Sequence, residues 1–179
     1  NRADGAAGNG WSELVYIAPS IVISNNALTV SGSGAGGIAR PIDLSGSVTV
    51  SVVLTEANGF GTLLHRYDAS LLFGTREQLS SPIGAIGYGI SIGRSDEITS
   101  NSQVGLYHDG TLVELVYSSF QYGSQIAVTF TLATDGSITG TVVGDGNTFN
   151  FAFGPRAIDI SGAHFAITHA GGEFIYPTI

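Results

Sequence analysis

The sequence predicts an all-β fold, an antiparallel two-sheet β-sandwich, and three observations carry that prediction. Apolar residues recur with a period of two: Ile126, Val128, Phe130 and Leu132 share one face, and Gln125, Ala127, Thr129 and Thr131 share the other. Phe149, Phe151 and Phe153 repeat the pattern, and this period means strands with one buried face and one wet face. Tight-turn residues punctuate the alternation, as His108-Asp109-Gly110, Thr134-Asp135-Gly136 and Gly144-Asp145-Gly146-Asn147. Asp-Gly and Gly-Asn pairs tolerate the positive φ angles of hairpin turns. No segment carries apolar residues at helical spacing for three turns, so helices have no amphipathic face to stand on.

In chain order, residues 1–11 form a turn-rich lead-in that ends on the only Trp, Trp11. Strands are expected over residues 14–17, 21–24 and 28–30, with Asn25-Asn26 as the turn between the last two. Residues 31–37 (Ser-Gly-Ser-Gly-Ala-Gly-Gly) read as a flexible loop inside one domain, because strand patterning resumes at once. Val48, Val50, Val52 and Leu54 set against Thr49, Ser51, Val53 and Thr55 give the cleanest strand of the N-terminal half. Strands over 62–67, 70–73 and 87–92 follow. The irregular stretches 74–85 and 93–102 hold Arg76, Glu77, Arg94, Asp96 and Glu97, and long polar loops on a β scaffold are where function concentrates. Residues 103–153 then read as strand, turn, strand about four or five times over. The total is roughly twelve to fourteen short strands, the spacing of a sandwich.

Composition narrows the functions. The 179 residues make one domain, 1–179, large enough for a core of its own. The apolar ending, Phe174-Ile175-Tyr176-Pro177-Thr178-Ile179, is expected to continue into more protein or a partner subunit. With no Cys, neither disulfides nor a Cys-ligated metal is available. All the cations are Arg, and the net charge is −8. Such a surface repels phosphate backbones, so no nucleic-acid partner is expected. No polybasic patch suits anionic lipid, and no apolar run is long enough for membrane insertion.

The head, Arg2-Ala3-Asp4-Gly5-Ala6-Ala7-Gly8-Asn9-Gly10-Trp11, resembles the opening of many concanavalin A-like, laminin-G-like jelly rolls. Their pattern is Arg-x-Asp-Gly-x-Leu-Gly, a short gap, Trp and a strand; the chain departs from it at Ala7. Gln103-Val104-Gly105-Leu106-Tyr107 leading into Asp109-Gly110, and the strand before Asp135-Gly136, also look like this superfamily. The resemblance covers nearly the whole chain. It implies a concanavalin A-like jelly roll from a bacterial or phage surface protein, and it raises glycan as a ligand without deciding catalysis. In this superfamily the loop holding Asp4 often carries calcium, so Asp4 is a candidate for a structural calcium site, the one cofactor implied. The alternative is an Asx-turn by Asp4 before Gly5. Glycosidases of the fold carry Glu-x-Asp-x-x-Glu on one strand, a string absent here.

Motif matches elsewhere fail on context. Gly89-Ile90-Ser91-Ile92-Gly93 fits a nucleophile elbow, but no helix follows, so Ser91 is expected simply to face out of a strand. Gly32-Ser33-Gly34-Ala35-Gly36-Gly37 lacks the helix that a dinucleotide site needs. His65, His108, His164 and His169 are scattered and read as strand or surface residues. Arg66 shares a strand face with Asp68, an arrangement that either forks onto sugar hydroxyls or forms a structural ion pair. Tyr107, Tyr117, Tyr122 and Trp11 are candidate platforms for sugar rings. Gly87, Gly89 and Gly93 line a face open to a ligand, a loop or another subunit.

The reading is a non-catalytic, lectin-like module binding glycan or surface polysaccharide, displayed extracellularly, on a cell surface or on a virion. Arg66, Asp68, Arg76, Arg94, Asp96 and Tyr107 are its candidate contacts. One alternative is a structural domain of a virion (capsid-decorating or tail-associated) or of an adhesin, acting through homo-oligomerisation. The other is a polysaccharide hydrolase or lyase.

Overall fold

The computed structural model describes residues 10–15, 20–24, 27–31, 35–56, 69–79, 87–94, 102–120, 125–158, 163–170 and 174–178. The strands are β1 (Ser12–Val15), β2 (Ser20–Ser24), β3 (Ala27–Ser31), β4 (Ala35–Pro41), β5 (Val48–Glu56), β6 (Ala69–Gly74) and β7 (Tyr88–Arg94). They continue as β8 (Ser102–His108), β9 (Thr111–Tyr117), β10 (Gln125–Leu132), β11 (Ile138–Gly144), β12 (Asn147–Phe153), β13 (His164–Ala170) and β14 (Phe174–Thr178). Among the described residues one helix, α1 (Arg76–Leu79), lies between β6 and β7. The strands form two seven-stranded sheets. The ladder sheet runs β12-β11-β10-β5-β14-β3-β2, and the helix-side sheet runs β1-β4-β13-β6-β7-β8-β9. The neighbouring strands pair antiparallel.

The hairpin ladder over 103–153 divides between the sheets. β8 and β9 belong to the helix-side sheet, whereas β10, β11 and β12 belong to the other. Asp109 and Gly110 sit at φ 51° and 75°, and Asp145 and Gly146 at 48° and 76°. Two successive positive φ angles make the turn whose twist matches antiparallel strands. Inward residues of β10 (Ile126, Val128, Phe130, Leu132) meet those of β5 (Val50, Val52, Leu54) and β12 (Phe151, Phe153) in one core. From the helix-side sheet Phe73 reaches into it, edge-on to Phe130 at 6.0 Å and tilted against Phe165 at 5.3 Å.

Four expectations are corrected. Residues 31–37 are not one flexible loop, because β4 begins at Ala35. A Cβ on Gly37 would lie 2.2 Å from the Ile167 carbonyl, so this glycine serves close strand approach. The stretch 74–85 holds the turn of α1, closed by a capping box: Thr75 N–H donates to Gln78 Oε1 (2.7 Å) and Gln78 N–H to Thr75 Oγ1 (3.2 Å). Trp11 is core, 8% exposed and edge-on to Phe165. Ser91, between the inward Ile90 and Ile92, does take the outer side of its strand, but it is fully buried there, with no partner for its Oγ.

The Ser91 correction reflects a wider difference. The helix-side sheet is buried on both faces from β6 to β8: β8 is closed from Ser102 to Leu106 and β6 at five of its six positions. On the outer side Leu14, Ala39, Leu72 and Ala166 form a second cluster with Leu79 of α1. Gly89 belongs to this side, where a Cβ would lie 2.2 Å from the Leu71 carbonyl. The glycine face therefore lets β6 and β7 pack closely.

Candidate functional site at the end of the sandwich

Register brings the chemistry to one end of the helix-side sheet. Pro41 closing β4 opposes His164 opening β13, and His164 opposes Gly74 closing β6. One strand further, Tyr88 opening β7 opposes His108 closing β8. Past these pairs Ile42 N–H donates to the Ala163 carbonyl and Asp109 N–H to the Gly87 carbonyl, both at 3.1 Å.

Two clefts open there. The first, about 570 Å³, is bounded by Ile42, Asp43, Leu44, Ser45, Ala163 and His164. The second, about 460 Å³, has Ala157 and Ile158 as its accessible apolar lining, Phe73 and Tyr88 buried behind it, and Gln78, His108 and Asp109 as polar rim. Gly74 lines the second cleft and its cross-strand partner His164 the first. Paired Cα atoms lie about 5 Å apart, so the clefts adjoin.

Local structure sets each polar group. Asp43 accepts the Ser45 N–H at 2.8 Å; this bond, then the Ser45 hydroxyl, holds its carboxyl below the usual carboxylate range. Asp109 sits in the left-handed region that the hairpin requires, and its Oδ2 lies 3.7 Å from His108 Nε2. The Tyr88 ring meets the His108 ring edge-on at 5.4 Å. Gln78 Oε1 is taken by the cap, which leaves the amide NH2 as its donor.

A clamp fixes the far wall. Tyr88 is 2% exposed, and its hydroxyl donates to the Gly136 carbonyl of the β10–β11 loop. Burial raises its pKa; Arg156 opposes that rise, while Asp135 and Glu114 add to it. Arg156 N–H donates to the Asp135 carbonyl at 3.1 Å, and its guanidinium to Glu114 Oε2 at 3.2 Å. Arg156 Nε is buried without a partner. In the same loop, the Ser137 hydroxyl and then its N–H hold the Asp135 carboxyl below the usual range. Ala157 and Ile158, which follow Arg156, are thereby set into the cleft wall.

The sequence-based candidates fall elsewhere. Arg66, Asp68, Asp96 and Asp4 lie outside the described residues, as does the strand expected over 62–67. Arg76 is exposed at the start of α1, and its guanidinium donates to Ser12 Oγ. Tyr107 is half-buried in β8 and packs against the outer cluster that includes Leu79, so it shares the outer side with α1. Arg94 ends β7 opposite Ser102, whereas Tyr107 opposes Gly89. Five strand positions make about 17 Å, so Arg94 and Tyr107 are not brought together. Among the described residues no three His, Asp or Glu side chains gather to hold a metal ion. The sequence pattern does not mark Gln78, Asp43, His108, Asp109 or His164 as contacts. Thr75-Arg76-Glu77-Gln78 was the available signal for Gln78, as a capping-box string.

The architecture matches solved structures along nearly its full length. The chain overlays the exoplasmic/lumenal domain of VIP36, described in a Ca2+/Man3GlcNAc-bound form, with a TM-score of 0.62 at 13% identity. That alignment covers 97% of this chain and 86% of the other. The fold is a concanavalin A-like jelly roll. The Emp47p carbohydrate recognition domain gives a TM-score of 0.58 at 13% identity, covering 96% of this chain and 87% of that one. The carbohydrate binding module CBM66 from Bacillus subtilis gives 0.57 at 11% identity, covering 94% and 92%. No protein-family model matches the sequence, and no curated protein does. Among the described residues no helix is long and apolar enough to cross a membrane.

Proposed function

We propose that this protein is a non-catalytic, lectin-like module that binds glycan or surface polysaccharide, displayed outside the cell, on a cell surface or on a virion. The observation that carries this reading is the pair of adjoining clefts, which offer apolar wall beside imidazole, amide and carboxylate groups. A sugar presents the same mixture of apolar face and hydroxyl edge. Each cleft has one carboxylate among its described lining residues, Asp43 or Asp109. Glycoside hydrolysis ordinarily uses a facing pair, so this arrangement favours binding over cleavage. Fold likeness to carbohydrate-recognition domains supports glycan as the ligand class.

Arg76 and Tyr107 beside α1, with Arg66, Asp68, Arg94 and Asp96, stay proposed as further contacts, and Asp4 as a contact for a structural calcium. A glycan array probed with the purified protein is the test. Retention of a glycan set without release of reducing ends is expected. An array with no retained glycan, or one whose glycans are cleaved, overturns the reading.

One observation favours a second reading, a structural domain acting through self-association. β9 is an edge strand of its sheet and exposes Val113 (39%) and Tyr117 (54%). Edge strands with apolar surface pair with other chains. Light scattering that finds a stable oligomer, together with a blank array, selects this reading over the first.

A further inference from the structure

We infer that the ligand is a neutral oligosaccharide lying across the sandwich end, with one sugar unit in each cleft. This rests on the glycan-binding reading and deepens it. The first argument is charge. Among the described residues no Arg lines either cleft, whereas Asp43 lines one and Asp109 the other. The described Arg side chains near this end are engaged elsewhere. Arg156 holds Glu114, Arg76 reaches Ser12, and Arg40 stands 5.6 Å over the Trp11 ring. With a chain charge of −8, a uronate, sulfate or phosphate group meets repulsion here.

The second argument is hydrogen-bonding chemistry. Ionised carboxylates accept from hydroxyls and make the stronger, charge-assisted bonds. Asp43 is held ionised by its Ser45 contacts. The Gln78 amide NH2 and the His108 imidazole supply donors beside Asp109, so one rim can both give to and take from vicinal hydroxyls. Ala157 and Ile158 offer the apolar contact against which a sugar ring lies, with Phe73 and Tyr88 buried behind them.

The third argument is extent. Each cleft falls within the roughly 300–1,000 Å³ of small-ligand sites. The His164–Gly74 pair separates them by a single strand step. A chain of linked sugars reaches both, and a monosaccharide reaches only one.

The experiment takes the intact protein through an array of neutral and acidic oligosaccharides that includes cellotetraose, xylotetraose, mannotetraose and tetragalacturonate. Binders and their monosaccharides are then titrated calorimetrically. A neutral tetramer is expected to bind about ten-fold or more tighter than its monomer, because the monomer engages one cleft. Asp109→Asn and Asp43→Asn are each expected to weaken the tetramer about ten-fold, while Val143→Ala, on the exposed side of the ladder sheet, leaves it within about two-fold. Asn is the best replacement for an Asp at positive φ, and an unchanged melting temperature shows that the turn at Asp109 survives. Preferred binding of tetragalacturonate, or neutral binding that ignores both Asp variants, overturns this inference and leaves glycan binding standing. A blank array overturns both.

Discussion

The ladder sheet and the helix-side sheet share one core but differ in what covers their outer sides. Along β10 burial alternates strictly, and the outward hydroxyls meet across strands: Thr49 with Thr131 at 2.8 Å and Ser51 with Thr129 at 3.1 Å. These pairs stay exposed, so water shares their hydrogen bonding. On the helix-side sheet the equivalent side is closed by Leu14, Ala39, Leu72 and Ala166 under Leu79 of α1. The central strands β6 to β8, closed on both faces, offer polar groups where they stop. That is where Asp43, His164, Gln78, His108 and Asp109 gather. The comparison teaches that in this sandwich a second buried face moves binding chemistry to the strand ends.

The largest effect tests that second face. Leu72→Ala is expected to destabilise the fold by about 2–5 kcal/mol, because the side chain is 2% exposed and leaves a cavity under α1. Val143→Ala on the outer side of the ladder sheet, where Val143 is 40% exposed, is expected to cost less than about 1 kcal/mol. Urea unfolding of the two variants reads the difference, and equal losses would break the comparison between the sheets.

The ladder sheet was legible because its strands obey one period and its turns use Asp-Gly. Ile126 through Leu132 take their faces from the period alone. The helix-side sheet hid its second face because Gly, Ala and Ser stand where a period-two reading expects polar residues. Gly37 and Gly89 read as flexibility or an open surface, but a Cβ at either would lie 2.2 Å from a neighbouring carbonyl. The site was less legible still. Asp43 and His164 are 121 positions apart in the chain and meet only because Pro41 pairs with His164. Asp109 reads as a turn residue in the sequence, and it is one. What its carboxylate faces depends on where Gln78 and Tyr88 are carried by other strands.

The clamp between the sheets gives the next effect. Burial raises the Tyr88 pKa, so the folded state favours the protonated phenol more than the unfolded chain does. The sign follows: this stability is complete below about pH 10, the ordinary Tyr range, and is lost as pH rises through the higher folded-state value. Tyr88→Phe removes the hydroxyl that donates to Gly136 and is expected to cost about 1 kcal/mol at neutral pH. It should also flatten the alkaline limb of the stability profile. Urea midpoints from pH 8 to 11 test this, and a Tyr88→Phe profile that still falls as steeply as the parent's overturns the assignment.

The smallest effect lies at the other end of the pH scale and belongs to the loops. Asp43 and Asp135 are exposed, and their Ser45 and Ser137 contacts hold both carboxyls below the usual range. A depressed folded-state pKa gives stability that is present above the unfolded value, about 4, and is lost as pH falls through the folded one. The Asp43→Asn, Asp135→Asn double variant is therefore expected to unfold with less proton uptake between about pH 4 and 2 than the parent. Its midpoint at pH 7 should move only slightly, since solvent screens both turns. Asp43 lies in the first cleft and Asp135 in the β10–β11 loop that Tyr88 ties to the second, so the single variants divide the acid response between the two sheets. An acid limb unchanged in the double variant would place that response in other carboxylates, and the two turns would then differ from ordinary surface loops in geometry alone.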